Sequence, residues 1–326
     1  MAHSVFKTVA PVVVKTVAQV VFKTVAQGFS PVVVKTVAQG FRLRVKLRRT
    51  AEALAKAGSP VVLLFLLLSS VAIAAAELTP ATSAAFDRYA GLTEQRINAE
   101  VARPADFLWI DSLPQNRRAE VLRGLQHGGV IIERLQTRDG SKEIYVPDGL
   151  IHHWVGTVFV PRAGVKEAVT LMQDYGRHAK YFAPAVARAR LLERDGSRFR
   201  VALRFYVKKI IAVTMDTENE AEFFHPAADR AHSRIRSTRV SEIANAGTPQ
   251  EKPKPSGEEN GFMWNLNTYW RFLERDEGTY IQCESLTLTR DVPFAFAWII
   301  RPIVTQMPRE SLTFTLAKAR AALVKP

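Results

Sequence analysis

The chain has 326 residues, of which 47% are apolar, 23% charged and 9% aromatic, and its formal net charge is +14. That balance fits one large or two modest globular domains and excludes a disordered tail protein or a collagen-like one. A single cysteine, Cys283, excludes a disulfide framework and any site built from several thiolates, and reads as a small buried hydrophobe. The charge is uneven. Residues 1–76 hold ten Lys or Arg against one acid, +9, and the rest of the chain holds 35 basic and 30 acidic side chains, +5. Such a mixed surface, with no basic aromatic platform, argues against nucleic-acid binding.

Lys-Thr-Val-Ala recurs at Lys7, Lys15, Lys23 and Lys35. Solenoid repeats run to about 20–50 residues, and a unit this small buries no face of its own. Residues 1–44 therefore read as a low-complexity segment, a translated tandem DNA repeat lying ahead of a true start at Val45. Residues 45–76 read as a signal peptide, the alternative being an uncleaved N-terminal anchor. The basic stretch Arg42 to Arg49 precedes an uncharged run from Val61 to Ala76, and Ala74-Ala75-Ala76 supplies small residues before a cut at Glu77. The uncharged run falls short of the about 20 residues that span a bilayer. The expected product is exported, in the style of a bacterial protein, to the periplasm or beyond.

From Glu77 the first region, 77–149, reads as a helical and hairpin extension. Phe86, Tyr89, Leu92, Ile97 and Val101 recur at near-helical spacing over 80–103, and Pro104 ends the helix. Phe107 to Ile110 is a short apolar anchor. Pro114 to Gln126 is a second, basic helix closed by Gly128-Gly129. Val130 to Gln136 and Glu143 to Val146 flank Asp139-Gly140, which predicts a hairpin.

The region 150–326 is more regular. A strand over Ile151–Val160 is followed by helices over Val165–Asp174 and His178–Phe182. Strands are expected over Val186–Glu193, Phe199–Val207, Ile211 toward Phe224, and Ser233–Ile243. The stretch Asn245–Asn260 is a loop. Two further strands, within Gly261–Glu274 and Thr279–Thr289, meet at Asp276-Glu277-Gly278. The chain ends in helices, where Pro302 is expected to introduce a kink. Leu312, Leu316, Ala319 and Leu323 form an amphipathic stripe. The fold class is α+β: a curved antiparallel sheet of about seven strands wrapped on a long C-terminal helix.

This order resembles the helix-grip fold of the START-like (SRPBCC) superfamily, which includes the Bet v 1-type, polyketide-cyclase and coenzyme Q-binding branches. Gly149-Leu-Ile-His-His-Trp-Val-Gly156, Leu171-Met-Gln-Asp-Tyr175, Tyr269-Trp-Arg-Phe272 and Thr289-Arg-Asp-Val-Pro293 resemble an uncharacterised bacterial branch. The resemblance covers 150–324. It implies a cavity between sheet and helix, and it carries over no catalytic residue.

Screening for catalytic motifs is negative: there is no phosphate loop, nucleophile elbow or His-Glu-X-X-His. His152 and His153 are neighbours on a strand and point to opposite faces, so they do not chelate one metal together. No metal or cofactor is expected. The candidate ligand-binding set is the aromatics Trp154, Tyr181, Phe205, Trp264, Trp270 and Trp298, the aliphatics Val213, Met215 and Leu266, and the charged Arg239, Arg271 and Glu284. Arg234 and Arg236 share a strand with Arg239. Glu284 alternates in step with Tyr280, Gln282, Leu286 and Leu288, and an inward Glu284–Arg pair would orient a ligand or perform acid–base work. The apolar segment Phe294–Val304 suggests contact with a membrane surface. The leading reading is an exported binder or carrier of a hydrophobic small molecule or lipid. The alternatives are a cyclase- or hydrolase-type enzyme using the polar pair, and an envelope interaction protein with a filled core.

Overall fold

The computed structural model describes residues 78–208, 212–255, 257–292 and 297–324, with side chains left aside over 297–303. The repeat, the signal segment, Phe294 and the side chains of Trp298 and Pro302 lie outside the described residues. Glu77–Tyr206 and Thr214–Pro326 form one compact unit. Val207–Val213 is grouped apart from it; there Val213 is buried and Lys208 and Ala212 are exposed. Among the described residues no helix is long and apolar enough to cross a membrane.

The extension opens with helix α1 (Pro80–Val101), whose N-cap Thr79 accepts a hydrogen bond from the Thr82 N–H, with Pro80 in the first turn. Short 3₁₀ turns at Pro104–Asp106 and Trp109–Ser112 lead to α2 (Gln115–Gln126). Strand β1 (Ile131–Arg134) follows, then the small pair β2 (Arg138–Asp139) and β3 (Lys142–Glu143). The turn between them uses Gly140 at φ 60°. The hairpin expected around Asp139-Gly140 is thus present but only two residues deep on each side. Val130–Gln136 does not pair with Glu143–Val146. Instead β1 adds to the main sheet beside β4 (Gly149–Pro161), with Ile132 opposite Gly156. Pairing there lets Ile132 pack against the main core, which a free hairpin would leave in water.

The rest follows the expected order. Helices α3 (Val165–Gln173) and α4 (His178–Tyr181) come first. The meander then runs β5 (Val186–Asp195), β6 (Arg198–Lys208), β7 (Ala212–Ala227) and β8 (Arg230–Ala244). A two-residue strand, β9 (Lys252–Pro253), lies in the expected loop and pairs with β8. Strands β10 (Asn265–Arg275) and β11 (Gly278–Arg290) complete the meander. A single helix, α5 (Ala297–Leu323), ends the fold, where the sequence suggested more than one.

The open sheet has the order β1-β4-β11-β10-β8-β7-β6-β5, with β9 beside β8. Seven of its strands form the helix-grip meander, and β1 and β9 are additions. The first strand of the meander, β4, pairs with the last, β11, over its whole length. One face, here the gripped face, packs on α3, α4 and the C-terminal half of α5. Trp154, Val158, Trp270, Phe272, Ile281 and Cys283 meet Leu312, Leu316 and Ala319 there. Gly156 is required where sheet and helix close up, because a Cβ would run into Ile132 and Leu316. The opposite, outer face is covered by the extension. Phe107, Leu108 and Ile110 with Val121 and Leu125 of α2 bury Phe159, Leu273 and Tyr280, and α1 covers the neighbouring polar part.

Candidate functional site

Register fixes what lies on the gripped face. Cross-strand pairs align Trp154, Ser285, Thr268, Ile235 and Ala221 in one row, with Gly156, Cys283, Trp270, Ser233 and Phe223 in the next. On the Ala221–Phe223 side, β6 continues the surface with Phe199, Val201, Leu203 and Phe205. The core end of this face is closed by side chains. Toward its other end Leu203, Phe205, Ile235, Leu266, Thr268 and Ser285 are only half-buried. The surface there is therefore an apolar band edged by hydroxyls. Two buried polar atoms on the same face, Trp154 Nε1 and Ser233 Oγ, have no hydrogen-bond partner among the described residues. An indole N–H is only a donor, so Trp154 can be satisfied only by an acceptor. His152, one residue pair further along, binds Thr289 Oγ1 at 2.9 Å. Burial, aided by Arg134, pushes its pKa down to about 4, which leaves the imidazole neutral at pH 7.

Of the expected ligand-binding residues, Trp154, Phe205, Met215, Leu266 and Trp270 share this face. Trp270 stacks on Phe272 with 6.4 Å between ring centres. Trp264 is buried just before β10, and its backbone N–H donates to the Leu288 carbonyl. Tyr181 sits at the edge on α4, half-buried, and donates to Asp174. It lines an open cleft of about 420 Å³ with Leu171, Arg177 and Leu323. Val213 is buried outside the main unit. Arg239 is exposed on β8, 3.8 Å from Glu218.

Arg271 and Glu284 do not face the gripped interior. They lie on the outer face, sealed beneath α1, because even positions of β11 and odd positions of β10 point that way. Glu284 accepts from His153 Nε2 at 2.7 Å and pairs with Arg96 of α1. The Tyr89 hydroxyl accepts from the Thr137 N–H at 2.7 Å and lies 3.0 Å from His153 Nδ1. Arg271 donates to the Phe107 carbonyl at 2.8 Å and to Glu100 at 2.6 Å, and stands 3.9 Å from Glu284. Burial pushes the Glu284 carboxyl up, but the His153 hydrogen bond with Arg96 and Arg271 outweighs it and holds the pKa below the usual range. Alongside, Glu94 accepts from Tyr269 at 2.9 Å and from Arg236 at 2.8 Å. The polar pair the sequence offered as acid–base machinery is therefore part of a buried ionic layer that joins α1 to the sheet. Neither Glu284 nor His153 lines the cleft beside Tyr181.

His152 and His153 do point to opposite faces, and no cluster suited to a metal occurs among the described residues. Cys283 is free and buried, as expected. The site-forming residues that sequence reasoning passed over are Leu203, Ser233, Ile235, Thr268 and Ser285. Their signal was strand parity with Phe205 and Trp270, but the strand neighbours were needed to read it.

No protein-family model matches the chain, and no curated protein matches it. Solved structures do. A STAR-related lipid transfer protein from Xanthomonas axonopodis matches at 14% identity and TM-score 0.37, over 57% of this chain and 98% of its own. The Zhui aromatase/cyclase from Streptomyces sp. R1128 matches at 13% and 0.37, over 53% and 94%. Human STARD10 matches at 9% and 0.37, over 65% and 82%. At such identities and scores the fold assignment rests on this chain's own topology: a first strand paired with the last, two helices after it, an antiparallel meander, and a long C-terminal helix across the sheet. By that topology the protein has a START-like helix-grip fold.

Proposed function

We propose that the protein binds and carries an apolar small molecule or lipid on the gripped face of its sheet. The observation that carries this reading is the half-buried band of Leu203, Phe205, Ile235 and Leu266, set beside the Trp154 indole N–H, which has no partner among the described residues. Covering apolar ligand surface there contributes about 25 cal/mol per Å² before ordering costs. The indole N–H and the hydroxyls of Thr268 and Ser285 would orient a ligand oxygen. Charge on this band would oppose binding, so Ile235→Glu is the discriminating variant.

The neutral fluorophore N-phenyl-1-naphthylamine tests the reading. The wild-type chain should bind it at one site with micromolar affinity, and Ile235→Glu should weaken that by at least about tenfold. Equal binding by both proteins would contradict the proposal. The apolar segment Phe294–Val304 supports pick-up from a membrane surface. Trp298→Glu should therefore slow transfer of the fluorophore from liposomes; transfer at the wild-type rate would count against membrane pick-up.

Export belongs to the same proposal and rests on the sequence pattern of residues 45–76. N-terminal sequencing of the native product should begin at Glu77; a mature protein retaining residues 4–41 would refute it.

A further inference from the structure

The outer face of the sheet carries a second cavity, on the side opposite the gripped face. It measures about 210 Å³ and is lined by Glu94, Ile97 and Asn98 of α1, Phe224 of β7, His232 and Arg234 of β8, and Tyr269 of β10, with Ser233. Because α1 forms one wall, the cavity belongs to the extension and is not a property of the helix-grip sheet alone.

The lining is selective. Phe224 and His232 are cross-strand partners with rings stacked 4.7 Å apart at 15°. Together with Ile97 and Tyr269 they supply flat apolar surface. The charges are already matched: Glu94 is held by Arg236 and Tyr269, and Arg234 donates to Glu222 at 3.1 Å. Neither the ring nitrogens of His232 nor the carboxamide of Asn98 has a hydrogen-bond partner among the described residues. Burial, then Arg271, Arg234 and His225, push the His232 pKa down to about 4. A neutral imidazole carries one donor and one acceptor, and a carboxamide carries both.

From this lining we infer a binding site for a small uncharged planar ring that bears adjacent hydrogen-bond donor and acceptor groups, such as an aromatic carboxamide. The ring lies against the Phe224–His232 surface, and its polar edge meets Asn98 and the His232 nitrogens. The volume equals about seven waters at ~30 Å³ each, which admits one ring or a fused pair and excludes a lipid chain. The two lining charges, Glu94 and Arg234, are already paired, so a carboxylate would find no free counter-ion there, and a saturated ring would lose contact with the flat wall.

The test uses the full chain and three probes: benzamide, benzoate and cyclohexanecarboxamide. Saturation-transfer NMR titrations should show millimolar benzamide binding, with benzoate and cyclohexanecarboxamide each weaker by about fivefold or more. Asn98→Ala changes an exposed side chain, and His232→Phe keeps the stacked pair. Each should weaken benzamide by about five- to tenfold. Ile235→Glu, on the other face, should leave benzamide binding unchanged, so this result stands or falls apart from the carrier reading. No saturation transfer to benzamide, equal transfer to all three probes, or unaltered binding in the Asn98→Ala/His232→Phe double variant would overturn the inference.

Discussion

Glu284 shows how a single carboxylate can be legible in pattern and still be misplaced. Its alternation with Tyr280, Gln282, Leu286 and Leu288 gives the correct set of residues sharing a face. Alternation does not say which of two faces receives the C-terminal helix. In the fold the carboxylate is fully buried on the outer face, bound to His153 and paired with Arg96. Removing one member of such a layer strands the others in a low dielectric, which costs about 3–5 kcal/mol. Urea unfolding at pH 7 should show a loss of that size for Glu284→Ala and a smaller one for Glu284→Gln, which retains an acceptor for His153. A Glu284→Ala loss below about 1 kcal/mol would contradict this account. The layer did leave a trace in the sequence. Tyr89, Thr93, Arg96 and Glu100 follow the spacing i, i+4, i+7, i+11 and all reach the sheet or its neighbours. A search restricted to apolar residues skips a polar stripe that faces inward.

Among the elements, the meander was the most legible, because its long strands, β5 to β8 with β10 and β11, each carry their own alternation. Phe199, Val201, Leu203 and Phe205 mark β6, and Trp270 with Phe272 marks β10. Bounds shifted by up to four residues, and β9 was read as loop because Lys252–Pro253 has no pattern to detect. The stripe of Leu312, Leu316 and Ala319 identified the face by which α5 packs. The hairpin at Asp139-Gly140 shows the limit of local signals. The turn chemistry was correct, yet Ile131 and Ile132 found a better partner in β4, where Gly156 leaves room for Ile132. Competition between a short local hairpin and a distant sheet edge is decided by buried area, which no short window of sequence contains.

At the scale of the molecule, one sheet is covered on both sides. Helices α3, α4 and the C-terminal half of α5 close the core end of one face, and α1, α2 and the 3₁₀ turns cover the other. The sequence reading treated the extension as an addition of unknown role. The structure gives it a mechanical one: it seals the outer face with an apolar patch around Phe159 and an ionic layer around Glu284. That division leaves the gripped face as the half-covered apolar surface on which the proposed carrier role depends. The central claim is tested most directly by native mass spectrometry of the protein purified gently from its host, followed by organic extraction of whatever is bound. The account predicts a stoichiometric apolar ligand that is absent from Ile235→Glu prepared in the same way. A ligand-free wild-type protein from a preparation in contact with host lipids, or a ligand retained equally by Ile235→Glu, would contradict it.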